Sequence, residues 1–263
     1  MTAPRRDFVA LDLGTARTRS LWSGGFAIAD RSSVVRRAGI GVEGQVRPVR
    51  HGMVTDPEAC LRLLRLVMQD AMVPGDRPVE RVLAGVPVAA SPNDRRTLHA
   101  VVAQAAGCAV TLVDEPLAAA VGAGLDVAGS RPSLLLDVGA GIVEAVAIRD
   151  SVIVDAAALQ LSATTSAGLP AYALDGVVTM TTGLLRGLPD RLRQAVRTGG
   201  LVVTGGGAQQ AELLHRLRTA LRMPVSAVPD PQHATIRGLT RLCLQPALAA
   251  RLTGHGTLTR HAH

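Results

Sequence analysis

Ala10-Leu11-Asp12-Leu13-Gly14-Thr15-Ala16 and Leu135-Leu136-Asp137-Val138-Gly139-Ala140-Gly141 carry one pattern twice: an apolar strand runs into Asp-x-Gly and small residues, and a second strand follows. Glycine lets the chain turn tightly there, with backbone N–H groups pointing into the turn where they can hold phosphate oxygens. Taken alone, each Asp-x-Gly reads first as a hairpin turn. Two copies in this order predict two related lobes, with Asp12 and Asp137 face to face across a cleft. Mg²⁺ prefers one or two carboxylates plus water, so this pair is a candidate seat for a hydrated Mg²⁺ bridging phosphates.

Two further stretches point at the same cleft. Leu201-Val202-Val203-Thr204 ends in Gly205-Gly206-Gly207 and leads into a helix. The bare backbone can lie against a flat or anionic ligand, and a helix N-terminus adds partial positive charge. Val113-Asp114-Glu115-Pro116 opens an Ala-rich helix. Asp114 can cap that helix, with Pro116 in its first turn. Glu115 can aim at the cleft and orient a water on a terminal phosphate, and both readings can hold at once.

Around these motifs, strand-like and helix-like stretches alternate, which is the order of α/β architecture. Strands are expected at 8–13, 82–86, 110–113, 134–136, 143–148 and 201–204, and helices at 56–72, 93–106, 117–125, 177–198 and 209–221. The Gly, Pro and Ser of 126–133 read as a linker between halves. The expected division is 1–128 for the first lobe and 131–232 for the second, with a C-terminal helix over 233–263 packing back on the first.

Composition narrows the functional classes. With 263 residues and 48% hydrophobic content the chain can bury a large core, and its four aromatic residues, Phe8, Trp22, Phe26 and Tyr172, leave that core to Ala, Val and Leu. The same scarcity removes the stacking platforms that single-stranded nucleic acid needs. All 28 basic residues are Arg, scattered singly or in pairs, so the net charge of +7 reads as a solvated surface and no nucleic-acid partner is expected. Cys60, Cys108 and Cys243 lack any metal-ligand spacing and read as buried thiols in a reducing compartment. The first strand begins at Phe8, and no apolar stretch approaches the length of a membrane span, so a cytoplasmic protein is expected, at most peripheral to the inner face of the membrane.

In combination, Asp12-Leu13-Gly14-Thr15, Asp114-Glu115-Pro116, Asp137-Val138-Gly139-Ala140-Gly141 and Thr204-Gly205-Gly206-Gly207-Ala208 resemble the phosphate-1, connecting, phosphate-2 and adenosine motifs of the superfamily of actin, sugar kinases and heat-shock chaperones. Val46 to Asp56, Leu83 to Pro87 and Glu115 to Leu125 narrow the likeness to the MreB family, over most of residues 8–245. The resemblance implies an actin-like, ribonuclease H-like pair of lobes with an ATP/ADP and Mg²⁺ site between them. Asp12 and Asp137 would serve the metal, and Gly14, Thr15, Arg17, Thr18, Gly139, Gly141, Gly205, Gly206 and Gly207 the nucleotide. Glu115 would be the catalytic residue.

The chain departs from that family in four places. Residues 23–45 and the span from Ile148 to Leu201 are short for the two small subdomains, the second of which holds ribose and adenine. Ile142 and Val143 stand where the family has two threonines, and Arg17 where it has asparagine. Arg17 can then pair with phosphate or with Asp137, or fill the site itself. The expectation is a cell-shape protein of the MreB type, weak in ATP hydrolysis and in self-polymerisation. Its expected partners are itself or a longer MreB-type protein and cell-wall synthesis proteins, with weak or indirect membrane contact. The alternatives are a degenerate actin-fold adaptor and a chaperone-like ATPase without filaments.

Overall fold

The computed structural model describes residues 7–23, 27–36, 44–71, 78–162 and 168–254. The first half runs β1 (Phe8–Leu13), β2 (Arg17–Trp22), β3 (Ala29–Ser32), the short strands β4 (Val35–Arg36), β5 (Gln45–Val46), β6 (Val49–Arg50) and β7 (Met53–Val54), then α1 (Pro57–Ala71), β8 (Arg81–Val86), α2 (Pro92–Ala106), β9 (Ala109–Asp114) and α3 (Glu115–Gly122). The second runs β10 (Ser133–Val138), β11 (Ile142–Arg149), β12 (Val152–Gln160), α4 (Ala171–Gly187), α5 (Asp190–Gly199), β13 (Leu201–Thr204), α6 (Ala211–Leu221), β14 (Val225–Ala227), α7 (Ala234–Leu244) and α8 (Pro246–Gly254).

The two main sheets share one topology. The first is ordered β3-β2-β1-β8-β9 and the second β12-β11-β10-β13-β14, each with an antiparallel meander on one side and parallel strands on the other. The repeated Asp-x-Gly segments are the β1–β2 and β10–β11 turns, so the duplication in sequence is a duplication of the whole sheet. In each turn the glycine is required by close approach. A Cβ on Gly14 would lie 2.6 Å from the Arg17 carbonyl oxygen, and one on Gly139 would lie 2.8 Å from that of Ile142.

Helices fill three layers around these sheets. One face of the first sheet, through Val9, Leu11 and Leu13, packs on α1 and α2 by way of Leu64, Val67, Leu98 and Val102. The outer face of the second, through Leu134, Leu136 and Val138, packs on α4 and α6 by way of Val177, Leu185, Leu213 and Leu217. Between the sheets lie α3 and α7, whose Leu117, Ala120, Ile236 and Leu239 share a core with Ala10 from one sheet and Leu135 and Val146 from the other. β1 is therefore buried on both faces, which is why it reads as a continuous apolar run. All of α3 is buried. A Cβ on Gly122 would lie 1.8 Å from the Ala234 carbonyl oxygen, so the α3–α7 crossing is as close as backbones allow.

Two helix expectations are corrected. The helix expected over 177–198 is two, α4 and α5, broken at Leu188-Pro189, where Leu188 turns to extended backbone ahead of a residue that has no N–H to give. The helix expected over 233–263 is also two, α7 and α8, parted at Gln245 before Pro246, and 255–263 lie outside the described residues. The loop at 71–75 also falls largely outside them. Between β3 and α1 the described residues hold only two-residue strand pairs, β4–β5 and β6–β7.

Candidate functional site

The two hairpin turns meet across a cleft of about 220 Å³ between the sheets. Gly14, Thr15, Ala16 and Arg17 line it from one lobe, and Gly139, Ala140, Gly141 and Ile142 from the other. Asp12, Asp137 and Glu115 line it as well, as do Gly205 and Gly206. The turns touch: a Cβ on Gly141 would lie 2.3 Å from the Thr15 hydroxyl oxygen. Gly52 N–H donates to that hydroxyl at 3.1 Å, and His51 Nδ1 lies 2.7 Å from the Gly141 carbonyl oxygen.

Two expected residues stand apart from the cleft lining. Thr18 lies on the opposite face of β2 from Arg17, fully buried, with its hydroxyl 2.9 Å from that of Ser33. Gly207 packs behind its turn, where a Cβ would lie 2.3 Å from a Val138 methyl. The glycine-rich turn also differs from expectation at its end. A short 3₁₀ turn (Gly206–Gln209) separates Gly205 from α6, so the long helix starts away from the cleft. Gly205 itself, at φ 80°, bonds the Pro231 carbonyl through its N–H at 2.9 Å.

Arg17 does not turn to Asp137. Its Nε donates to Asp30 Oδ1 at 2.6 Å and its Nη2 to the Asp30 carbonyl at 2.9 Å, because β2 pairs with β3 and brings Asp30 beside it. The arginine that reaches a cleft carboxylate is Arg19, which the sequence reading passed over. Its Nη1 lies 3.5 Å from Asp12 Oδ2, and its Nε donates to Asp30 Oδ2 at 3.2 Å. The register explains it: Asp12, Arg19 and Asp30 are directly opposite one another on three adjacent strands. Gln232 and Thr235 were missed as well, since they arrive from the segment entering α7.

The carboxylates sit in an environment that resists their charge. Burial, opposed by Arg19 and reinforced by Asp137, pushes Asp12 up to about 6. Burial also raises Asp137, against the hydrogen bond it accepts from the Thr204 hydroxyl at 2.8 Å. Glu115 is pushed well above the usual carboxylate range by burial and then by Asp12, Glu144 and Asp137. Its Oε1 has no hydrogen-bond partner among the described residues. Asp114, at the cap position of α3, makes no side-chain cap bond and accepts from Arg95 Nη2 at 2.6 Å. Glu144 is a further buried acid, pushed up to about 8 by burial, whose Oε1 accepts the Ala89 N–H at 3.0 Å across the lobes.

These residues suit phosphate in one respect and a divalent cation less well. Backbone turns from both lobes and two arginines line the cleft, and Glu115 lines it as well. Among the described residues, no three Asp, Glu, His or Cys side chains are grouped to hold a metal. A hydrated Mg²⁺ would rest on Asp12 and Asp137, and Asp12 already has a guanidinium against it. A positive group there opposes a second one, so this pair does not fit Mg²⁺ as the sequence pattern implied.

A family model, MreB/Mbl protein, matches residues 41–166. The cell shape-determining protein MreB of Escherichia coli K12 is 30% identical over 164 residues, covering 53% of this chain and 47% of that protein. MreB of Haemophilus influenzae is 28% identical over the same length. Among solved structures, MreB5 of Spiroplasma citri bound to AMPPNP superposes with a TM-score of 0.80 at 17% identity, covering 94% of this chain and 99% of that one. The chain has the actin-like fold of these structures. The MamK double helical filament is a further fold neighbour, with a TM-score of 0.73 at 19% identity over 91% of this chain and 99% of that one. The chain spans about half the length of the curated relatives it matches. Asp12, Arg19 and the three glycines from Gly205 lie outside the family-matched segment, while Glu115, Asp137 and Glu144 lie within it. No helix among the described residues is long and apolar enough to cross a membrane.

Proposed function

We propose that this chain is a cell-shape protein of the MreB type whose interlobe cleft binds the phosphates of an adenine nucleotide, with slow turnover at most. The observation that carries this reading is the meeting of the two Asp-x-Gly turns over one cleft, with Glu115 and Gly205-Gly206 on its walls. MreB5, with the same fold, is described as bound to AMPPNP and to ADP. Gly14, Thr15, Gly139 and Gly141 would cradle the phosphates through their turns, and Arg17 and Arg19 would supply positive charge. Glu115 would take a proton from, or orient, the attacking water, and Ile142 in place of a hydroxyl makes that water poorly held.

In this reading the protein joins filaments of a longer MreB-type relative or of itself, and serves cell-wall synthesis proteins from the cytoplasmic side with at most indirect membrane contact. The 1–128 and 131–232 lobes, with the C-terminal helices returning to the first, are the proposed rigid units. Calorimetric titration with ADP, alongside Gly141→Val as a variant that fills the turn, tests the nucleotide part. Binding by the parent that the variant loses supports it, and no heat from either refutes it. The alternative, an adaptor that has kept the fold without the nucleotide, rests on Ile142 lining the cleft where a hydroxyl is expected.

A further inference from the structure

We propose that Arg19 occupies the cation position of the cleft, so that the site takes the phosphates of its ligand against a built-in guanidinium and without a divalent metal. The ligand half of this inference rests on the nucleotide reading above. The metal half stands on the geometry alone.

Arg19 is part of the sheet's own design. It lies directly across from Asp12 on one neighbouring strand and from Asp30 on the other. Asp30 Oδ2 accepts from its Nε at 3.2 Å, which fixes the guanidinium from behind, while Nη1 stands 3.5 Å from Asp12 Oδ2. Its side chain is 13% exposed, and Arg19 lines the cleft, so the planar fork is held in place with further N–H donors available to a ligand. Asp30 also holds Arg17 at the rim, so one carboxylate outside the cleft orients both arginines that line it. An arginine keeps its charge under all ordinary conditions and matches phosphate geometry, which a flexible ammonium would not.

The second hairpin makes the contrast. Its residue opposite Asp137 is Glu144, at the same offset from its aspartate as Arg19 from Asp12. Equivalent positions of the two hairpins thus carry an acid and a guanidinium, and of these Arg19 lines the cleft while Glu144 turns to the Ala89 N–H. A divalent ion seated on Asp12 would be repelled by the fixed guanidinium beside it, and it would compete for the same lone pairs. Removing Arg19 should open a metal site that the parent protein lacks.

The test is a manganese titration followed by electron paramagnetic resonance, on the full chain and on Arg19→Leu and Arg19→Gln, with folding checked by circular dichroism. The expected result is no cleft Mn²⁺ in the parent protein and a bound Mn²⁺ in either folded variant, lost again when Asp12→Asn is added. Alongside it, ADP and pyrophosphate affinities of the parent protein should agree within about threefold between EDTA and Mg²⁺. Mn²⁺ bound by the parent and released by Asp12→Asn overturns the proposal, as does a folded Arg19 variant that still takes no Mn²⁺. An affinity that falls more than about tenfold on chelation overturns it too. If neither phosphate ligand binds in either buffer, the nucleotide reading fails and with it the ligand half, while the manganese results still decide whether Arg19 holds the cation position.

Discussion

His51 Nδ1 lies 2.7 Å from the carbonyl oxygen of Gly141, joining the β6–β7 turn of one lobe to the β10–β11 turn of the other. A carbonyl only accepts, so Nδ1 carries the proton in this contact. With the Gly52 N–H on Thr15 beside it, this bond holds the two hairpin turns against each other at the mouth of the cleft. His51→Ala should leave the sheets intact and free the turns from one another. The expected cost is about 1 kcal/mol of stability, with faster amide exchange concentrated at 139–142. Unchanged exchange there would assign the cleft's closure to backbone packing instead.

Glu115 and Asp114 are adjacent and do different work. Asp114 pairs with Arg95, and the buried Glu115 is among the residues that line the cleft. If the chain hydrolyses ATP, Glu115→Ala should lower turnover by about a hundredfold or more, and Asp114→Ala by far less, its effect falling on stability. Because burial and the neighbouring acids hold Glu115 well above the usual carboxylate range, it becomes a competent base only at a higher pH than an ordinary carboxylate does. Turnover should therefore climb with rising pH above the usual carboxylate range in the parent protein, a limb that single-turnover assays of Glu115→Gln would lack. Equal losses at both positions would reduce the pair to a helix start.

Glu144 gives stability its own pH dependence. Its folded value of about 8 lies above the usual carboxyl value of 4.5, so between these limits the folded state binds the extra proton. Its contribution is full below 4.5, declines as pH rises through the window, and is gone above about 8. The slope attributable to it is at most about 1.4 kcal/mol per pH unit. Asp137 and Asp114 push Glu144 in the same direction, while the N–H groups of Ala89 and Val88 oppose. Urea denaturation from pH 5 to 9 should show the parent losing stability across this range, and Glu144→Gln should flatten the curve. Parallel curves would place the titration elsewhere.

The duplicated hairpins and the sheet strands were readable because both depend on short-range pattern. An apolar run buried on two faces looks like β1, and Asp-x-Gly looks like a tight turn wherever it falls. Arg19 was not readable in the same way. It and Arg17 lie on the same face of β2, and only the strand register decides that Asp12 faces Arg19. Gln232 and Thr235 approach from far along the chain, through the α3–α7 crossing, which no local pattern encodes. The break between α4 and α5 did have a signal in Pro189, outweighed by the helical pattern on either side.

That crossing carries the next expectation. A Cβ on Gly238 would lie 1.7 Å from the Ala118 carbonyl oxygen, and one on Gly122 would meet α7 almost as closely, so neither clash can be relieved by rotating a side chain. Gly238→Ala should force α7 away from α3 and loosen both sheets, since the two helices fill the layer between them. The loss should exceed about 3 kcal/mol, beyond ordinary overpacking, and be read as a lowered urea midpoint. Gly183→Ala, at a helical glycine with open space around it, is the matched control and should change stability little or raise it slightly. Similar behaviour of the two variants would mean that the crossing can shift at low cost.

The resemblance to the MreB family implies protofilaments that grow head to tail, with the small subdomains supplying part of each subunit's contact surface. Here the described residues between β3 and α1 offer only two-residue strand pairs, and those between β12 and α4 hold no helix or strand. A head-to-tail contact below the usual size for a stable interface is weak or transient. The lobes are also tied to each other at His51–Gly141 and Glu144–Ala89 and packed on one shared layer of helices, which leaves a bound nucleotide little differential purchase on their relative position. The isolated chain is therefore expected to form no long double filaments with ATP and Mg²⁺, and to sediment only with a longer MreB-type partner. Negative-stain electron microscopy at high protein concentration, with and without that partner, checks both halves. Regular filaments of the chain alone would show that the two large lobes by themselves supply a sufficient interface.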